Sequence, residues 1–343
     1  MHKAPRNNGD KPSQRETPPQ EVRVVTSTRI GADLVNRPLL EWYDSHARNL
    51  PWRMTRDPYS ILVSEIMLQQ TQVDRVIPAY SRFLMVFPTI QNLAAATPMA
   101  VIQAWRGLGY YRRAVRLHRL AQIITHEMQG RIPSSTTELI KLPGVGRYTA
   151  AAVACFAFGE QVAAFDVNTS RVLHRLLGIR AGSKSLLPTE EFRKVIQTIV
   201  PKGRAANWNQ ALMDVGSKFC KSSSPVCAAC PLTKVCEHSG KAPEWETPSN
   251  VTGNAGTVKT PIPFKGSARF FRGRIIRILS GLEPNEHIRI DKLLKDINVD
   301  LDGDLKLTQA AFIGLLTAME TEGLIYEIKS HPVNALTLVR LPC

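Results

Sequence analysis

Two acidic residues and four cysteines are the side chains whose types and spacing suit chemistry. Glu65 lies in the run Ser64-Glu65-Ile66-Met67-Leu68-Gln69-Gln70-Thr71. On a helix beginning at Tyr59 it falls one turn from Ile61 and Leu68, and Val63, Ile66 and Met67 cover much of the remaining surface. A helix that is apolar nearly all round is buried, so Glu65 is expected to be buried with it. Loss of water disfavours the ionised form and raises the pKa. A carboxyl that keeps its proton near neutrality can act as a general acid. The plainer alternative is a buried glutamate paired with an arginine. Asp166 follows Ala163-Ala164-Phe165 and precedes Asn168 and Arg171. It suits the N-cap of the next helix, or a second active carboxylate. One protonated and one ionised acid form the pair that cleaves a bond at an anomeric carbon, through an oxocarbenium-like transition state.

Cys220, Cys227, Cys230 and Cys236 form C-x6-C-x2-C-x5-C. The opening residues contain no apolar stretch of the kind that marks a secretory signal, so a disulfide framework is not expected. Structural zinc takes four cysteines, usually as two C-x2-C knuckles set well apart. A [4Fe–4S] cluster takes four thiolates at uneven spacing. Spacing alone leaves both open. Cys155 sits in an apolar helical run and reads as core, and Cys343 as incidental.

The elements that must position these groups are mostly helical. Helices are expected over about 29–50, from Tyr59 to about Phe87 with a break near Pro78, from Thr97-Pro98 to Gly107, and from Tyr111 to Gln129. A short helix opens with the capping box Ser135-x-x-Glu138. Another follows Leu142-Pro143-Gly144-Val145-Gly146, and more fall near 189–200 and 206–218. Two glycines one residue apart, between helices, let the chain turn tightly and offer N–H groups to a phosphate. That signal is weak by itself, but in a basic region it suits a helix–hairpin–helix DNA-binding element. The segment 239–263 is rich in Pro, Gly, Ser and Thr and reads as a linker. Residues 264–343 read as three helices and two short strands, Gly323–Lys329 and Ala335–Leu341, a winged-helix pattern. Within it, Arg269-Phe270-Phe271-Arg272-Gly273-Arg274 is locally basic, and reads either as a DNA contact or as a solvated helix turn.

A chain of 343 residues is long for one core, so two or three domains are expected. Lys and Arg exceed Asp and Glu by 15, and 12 of that excess falls within residues 26–262. Such an excess suits a polyanionic partner. No apolar run reaches the length that spans a membrane.

Four features occur in order: SEIMLQQTQV, GLGYYRRA, LPGVGRYTAAAV with a downstream aspartate, and the four cysteines. Together they resemble the helix–hairpin–helix DNA glycosylases with an iron–sulfur cluster, most nearly those of the MutY type that act on adenine. The resemblance covers about residues 29–238. It implies a mostly α fold, a two-lobed helix–hairpin–helix core with an iron–sulfur loop at 220–236, to which the sequence pattern adds a small C-terminal winged-helix-like α+β module at 264–343. The N-terminal 1–28 is expected to be disordered. The resemblance also resolves the metal choice toward [4Fe–4S], held by Cys220, Cys227, Cys230 and Cys236.

By the same resemblance Glu65 protonates the leaving adenine and Asp166 stabilises the sugar oxocarbenium, with Tyr148 and Asn168 lining the pocket. Trp52, Arg53, Leu68 and Gln210 surround the extruded base. Gln70 and Tyr110 enter the stack where the base has left, because the target atom is inaccessible in a duplex. Gly144, Val145, Gly146 and Lys221 are expected to bind phosphate. Related bifunctional enzymes, such as endonuclease III, place a lysine two residues after the second hairpin glycine. Tyr148 stands there, so no amine is available for a Schiff base, and a monofunctional enzyme leaving an abasic site is implied. The expected partner is double-stranded DNA with a mispair or lesion. A monomer in the cytoplasm, associated with the nucleoid, is expected.

Two departures from the family pattern stand out. The usual Asp-Gly-Asn is Asp166-Val167-Asn168 here. The residues after 264 are too few for the Nudix-like domain that members recognising 8-oxoguanine usually carry. A thymine glycosylase for G:T mismatches and a non-catalytic DNA-binding protein are the competing readings; Gln69-Gln70 favours adenine.

Overall fold

The computed structural model describes residues 31–178, 189–240, 264–283, 286–328 and 337–342. The expected disordered segment 1–28, the linker beyond residue 240, the stretch 329–336, which takes in the last residue of the first expected C-terminal strand and the first two of the second, and Cys343 lie outside the described residues.

Helix α1 (Ala32–His46) opens the described chain. Helix α2 (Pro58–Leu68) starts where Pro58 takes the first position and the Asp57 carboxylate accepts the Ser60 N–H at 2.8 Å. Every residue from Ile61 to Met67 is buried, so Glu65 has no solvent face to occupy. The expected break near Pro78 is corrected. It falls at 69–72, and Pro78 lies inside α3 (Val73–Val86). Gln70 takes φ 55°, left-handed backbone that cannot continue a helix. Arg113 Nη1 donates to the Ile66 and Met67 carbonyls at 3.0 and 2.8 Å, closing the end of α2. Pro78 is exposed, so water can serve the carbonyl its ring leaves unbonded.

Helices α4 (Ile90–Ala95), α5 (Pro98–Ala104), α6 (Arg112–Glu127) and α7 (Thr136–Leu139) follow, α4 being too short for periodicity to announce it. Then come α8 (Arg147–Phe158), α9 (Val167–Leu177), α10 (Glu190–Ile199) and α11 (Ala205–Lys218). These helices build two cores. One gathers apolar residues of α2 to α8. The other gathers α1, α9, α10, α11 and the cysteine segment. Helix α8 belongs to both, with Val153 and Ala154 in the first and Cys155 in the second. Ala151, Ala152 and Ala164 line the seam, where short side chains let the lobes approach. Although α1 leads the chain, it joins the second lobe. Trp208 Nε1 donates to Asn36 Oδ1, whose Nδ2 donates to the Ile199 carbonyl, each at 2.8 Å.

The C-terminal module holds α12 (Ala268–Leu279), β1 (Ile288–Arg289), α13 (Ile290–Ile297), α14 (Gln309–Thr321), β2 (Tyr326–Ile328) and β3 (Leu338–Arg340). The strands form an antiparallel sheet in the order β1-β3-β2, with Val339 facing Ile288 on one side and Glu327 on the other. The sequence announces only two strands, because β1 has two residues. The apolar residues of this module, among them Phe271, Ile275 and Phe312, are continuous with the first core.

Candidate active site

A small cavity of about 60 Å³ opens at the seam of the two lobes. Glu65, Trp52, Arg53, Leu68, Tyr148 and Gln210 line it, so predicted site residues from separate stretches of chain meet there. Asp166 and Asn168 are not among the lining residues. Asp166 lies close enough for its charge to act on Glu65 and Tyr148. Gln70 and Tyr110 line a different and much larger cleft.

Glu65 is 4% exposed, and its Oε2 has no hydrogen-bond partner in the protein. Burial pushes its carboxyl up to about 7, with the Asp166 charge adding to the rise; a hydrogen bond with Tyr148 and the positive charge of Arg53 oppose it. The group is thus a half-protonated acid at neutral pH, facing a cavity. Among the described residues no arginine forms an ion pair with Glu65, and Arg53 is engaged elsewhere. Its Nη1 and Nη2 donate to Asp214 Oδ2 and Oδ1 at 2.8 and 2.9 Å, and Arg48 Nε donates to the same carboxylate at 2.7 Å. Burial alone would push Asp214 up, but these two guanidiniums hold it below the usual carboxylate range.

Sequence reasoning misses Asp214. Its spacing offers a signal: it lies one helical turn after Gln210 on α11, so both residues face the cavity side. Tyr43 is missed as well; its hydroxyl donates to Gln210 Oε1 and fixes that amide. Tyr148 is half-buried. Burial first, then the charges of Glu65 and Asp166, raise its hydroxyl well above the ordinary tyrosine value, so it stays a proton carrier.

Asp166 is the N-cap of α9. Its Oδ1 accepts the Thr169 N–H at 2.7 Å and Thr169 Oγ1 donates to it at 2.9 Å, while Asn168 Nδ2 donates to Oδ2 at 3.1 Å. The capping role and a chemical role are therefore compatible in one residue. Val167, standing where the family pattern has glycine, is half exposed at the first position of α9, its backbone already turned into the helix.

The hairpin turns at Gly144, whose φ of 83° favours glycine. Gly146 caps α8 and is exposed. Val145 contributes differently from its neighbours: its side chain is buried, and its N–H donates to the Leu142 carbonyl at 3.2 Å, so it anchors the turn. Lys221 is exposed beside the cysteine segment, and its carbonyl accepts from Arg175 Nη1 at 2.7 Å.

Cys220, Cys227, Cys230 and Cys236 surround one cavity of about 40 Å³, closed by Val172, Leu176, Phe219 and Leu232. Burial pushes the Cys230 thiol up to about 11 and raises that of Cys236, because a thiolate is disfavoured away from water. No group of three or more His, Cys, Asp or Glu among the described residues is placed to hold a metal ion. The donor set itself, four sulfurs around one apolar cavity, has the chemistry of a site for an iron–sulfur group or another thiophilic metal. Helix α9 holds this segment: Arg171 Nε donates to the Cys220 carbonyl at 2.8 Å, and Arg175 Nη2 to the Ser222 carbonyl at 3.0 Å. The helix that Asp166 caps is thus the one that fastens the cysteines.

Residues 63–198 match the HhH-GPD superfamily of base excision DNA repair proteins. The chain is 41% identical over 207 residues to the human adenine DNA glycosylase, covering 58% of this chain and 38% of that protein. It is 38% identical over 243 residues to the adenine DNA glycosylase of Mycolicibacterium smegmatis, covering 70% of this chain and 78% of the relative. Among solved structures, a thermostable thymine-DNA glycosylase superposes with a TM-score of 0.56 at 31% identity, covering 61% of this chain and 96% of that one. The chain spans well under two thirds of the human relative's length. Its match to the Mycolicibacterium relative extends over most of both proteins, and on that ground the chain belongs to the adenine DNA glycosylase family of the HhH-GPD superfamily.

Proposed function

We propose that this protein is a monofunctional DNA glycosylase that hydrolyses the N-glycosidic bond of mispaired adenine after base flipping, leaving an abasic site. The observation that carries this reading is Glu65: a buried carboxyl with a pKa of about 7, facing a cavity, within reach of the Asp166 charge. As the bond between C1′ and the base breaks, the Glu65 proton passes to the leaving adenine. The Asp166 carboxylate balances the positive charge growing on the sugar. A water molecule then gives its hydroxyl to C1′ and its proton to the carboxylate left behind, so atoms and charge balance. Tyr148 orients Glu65, and Asn168 orients Asp166. Trp52, Arg53, Leu68 and Gln210 enclose the extruded base. Trp52 is held edge-on against Tyr80, with ring centroids 5.5 Å apart, which suits a fixed pocket wall.

Gln70 and Tyr110 both carry left-handed backbone, φ 55° and 48°, and both are exposed. Strained, protruding side chains suit a wedge that fills the gap in the DNA stack. Gly144, Gly146 and Lys221 bind phosphate, with Val145 holding the turn. The partner is double-stranded DNA containing a mispair, bound by a monomer. No helix among the described residues is long and apolar enough to cross a membrane. The enzyme acts in the cytoplasm, in association with the nucleoid. A [4Fe–4S] cluster on Cys220, Cys227, Cys230 and Cys236 would cross-link the cysteine segment that Arg171 and Arg175 of α9 hold.

The likeness to a thymine-DNA glycosylase supports a second reading, excision of thymine from G:T. Duplexes with A opposite 8-oxoguanine, A opposite G, and T opposite G separate the two. Release of adenine from the first or second is expected. Release of thymine alone selects the second reading, and no release from any leaves a DNA-binding protein. Visible-range absorbance of the purified protein tests the cluster; its absence from folded protein rules the cluster out.

A further inference from the structure

A cleft of about 1130 Å³ is separate from the cavity that holds Glu65. One wall is the segment from Arg106 to Arg116, and the other is α12 of the C-terminal module. Eight arginines line it, three of them from α12, namely Arg269, Arg272 and Arg277; no Asp or Glu does. Some of these charges are already committed. Arg113 serves the end of α2, Arg75 donates to the Gly107 carbonyl, and Arg112 and Arg272 share Glu322. Arg106, Arg116, Arg269 and Arg277 are exposed and have no acidic partner among the described residues. Arg106 and Arg277, from opposite walls, both lie near enough for their charges to act on the Tyr111 hydroxyl. Glu322 offsets part of the charge of Arg112 and Arg272, but the four arginines without an acidic partner, two from each wall, repel until a polyanion fills the groove.

The cleft also touches the wedge. Arg269 Nη1 donates to the Tyr110 hydroxyl at 2.8 Å, and the Arg113 and Arg269 guanidiniums lie 5.5 and 5.3 Å from the Tyr110 ring centroid. Helix α2 divides the two sites. Leu68 lines the Glu65 cavity, while Gln69 and Gln70, the next two residues, line the cleft. A nucleotide drawn to Glu65 therefore leaves its former partner on the cleft side of Gln70.

We propose that the arginine-lined cleft between α12 and the 106–116 segment binds the phosphate backbone of the DNA strand opposite the extruded nucleotide. This assigns the C-terminal module a grip on the duplex. The choice of strand rests on the glycosylase reading above; the binding of DNA by the cleft does not. Arg269 exchanges the Tyr110 hydroxyl for a phosphate oxygen when DNA enters, which frees the tyrosine to move.

The test uses the full chain as wild type, R269A/R277A and R269K/R277K, with a duplex carrying one A opposite G. Affinity is measured by fluorescence anisotropy over a range of salt. Removing two phosphate contacts lowers the slope of log affinity against log salt by about 1.8, at about 0.9 per contact. R269K/R277K keeps both charges and is expected to hold the wild-type slope, which separates lost charge from misfolding. Phosphate ethylation interference on each strand then assigns the contact. The expected result is loss, in R269A/R277A, of interference on the strand opposite the adenine, with the adenine strand unchanged. An unchanged slope overturns the proposal, and loss confined to the adenine strand overturns the strand assignment. Failure of the wild type to release any base refutes the glycosylase reading and leaves the slope measurement valid.

Discussion

Replacing Glu65 with glutamine tests whether burial sets the chemistry, because one change has two measurable and opposite effects. In the folded protein the Glu65 carboxyl titrates at about 7, against 4.5 when unfolded. Each unit of difference corresponds to about 1.36 kcal/mol, so forcing this carboxylate to exist inside the fold costs about 3 kcal/mol. The sign follows from proton binding. Between about pH 4.5 and 7 the folded state holds more of the proton than the unfolded state, so wild-type stability declines with rising pH across that window and the cost is constant above it. Glutamine fills the same space and does not titrate. Denaturant unfolding of both proteins should therefore show the stability of Glu65→Gln relative to wild type rising by about 3 kcal/mol from about pH 4.5 to pH 8. Titrating groups that do not interact with Glu65 cancel in the difference. Single-turnover base release should move the other way, slowing by about 10² to 10⁴-fold in the variant. In the wild type the rate should fall about tenfold per pH unit above about 7. A stability difference equal at both pH values would mean that the carboxyl is solvated, and base release at the wild-type rate by the variant would remove Glu65 from the mechanism.

Asp214→Ala leaves the buried Arg53 guanidinium without its carboxylate and should destabilise the protein by about 3–5 kcal/mol; a loss under about 1 kcal/mol, read from the urea midpoint, would show that Arg53 finds another partner. Arg113→Met keeps much of the volume but strips the donors from the carbonyls of Ile66, Met67 and Gln69, and should cost about 3 kcal/mol and weaken DNA binding. Stability lost with DNA affinity intact would mean that the end of α2 does not set the wedge. Borohydride added during turnover should trap no covalent protein–DNA adduct, because Tyr148 stands where an amine would be needed and no lysine lines the cavity; a trapped adduct would identify an amine nucleophile.

Local features are legible where one residue's chemistry decides a local outcome. Asp57-Pro58 and Thr97-Pro98 mark helix starts because a side-chain oxygen and a proline ring act within one turn. The apolar run around Glu65 announces its burial because a helix without a polar face has nowhere to turn toward water. Pro78 misleads because a proline on an exposed helix face can leave its missing bond to water, whereas the true end of α2 depends on Arg113, 46 residues beyond Met67 in sequence. Short elements such as α4 and β1 carry too few residues to show a period.

The order of motifs, the cysteine spacing, the turn glycines and the apolar wall around Glu65 were determined by the sequence, since each depends on neighbours along the chain. Tertiary structure alone decided that Asp214 would occupy Arg53 and Arg48, that Glu65 would sit within range of the Asp166 charge, and that α12 would bring Arg269 to Tyr110 beside an arginine-lined cleft. The reason is physical: a pKa and a charged groove are set by whatever lies within a few ångströms in space, and folding chooses those neighbours from distant parts of the chain.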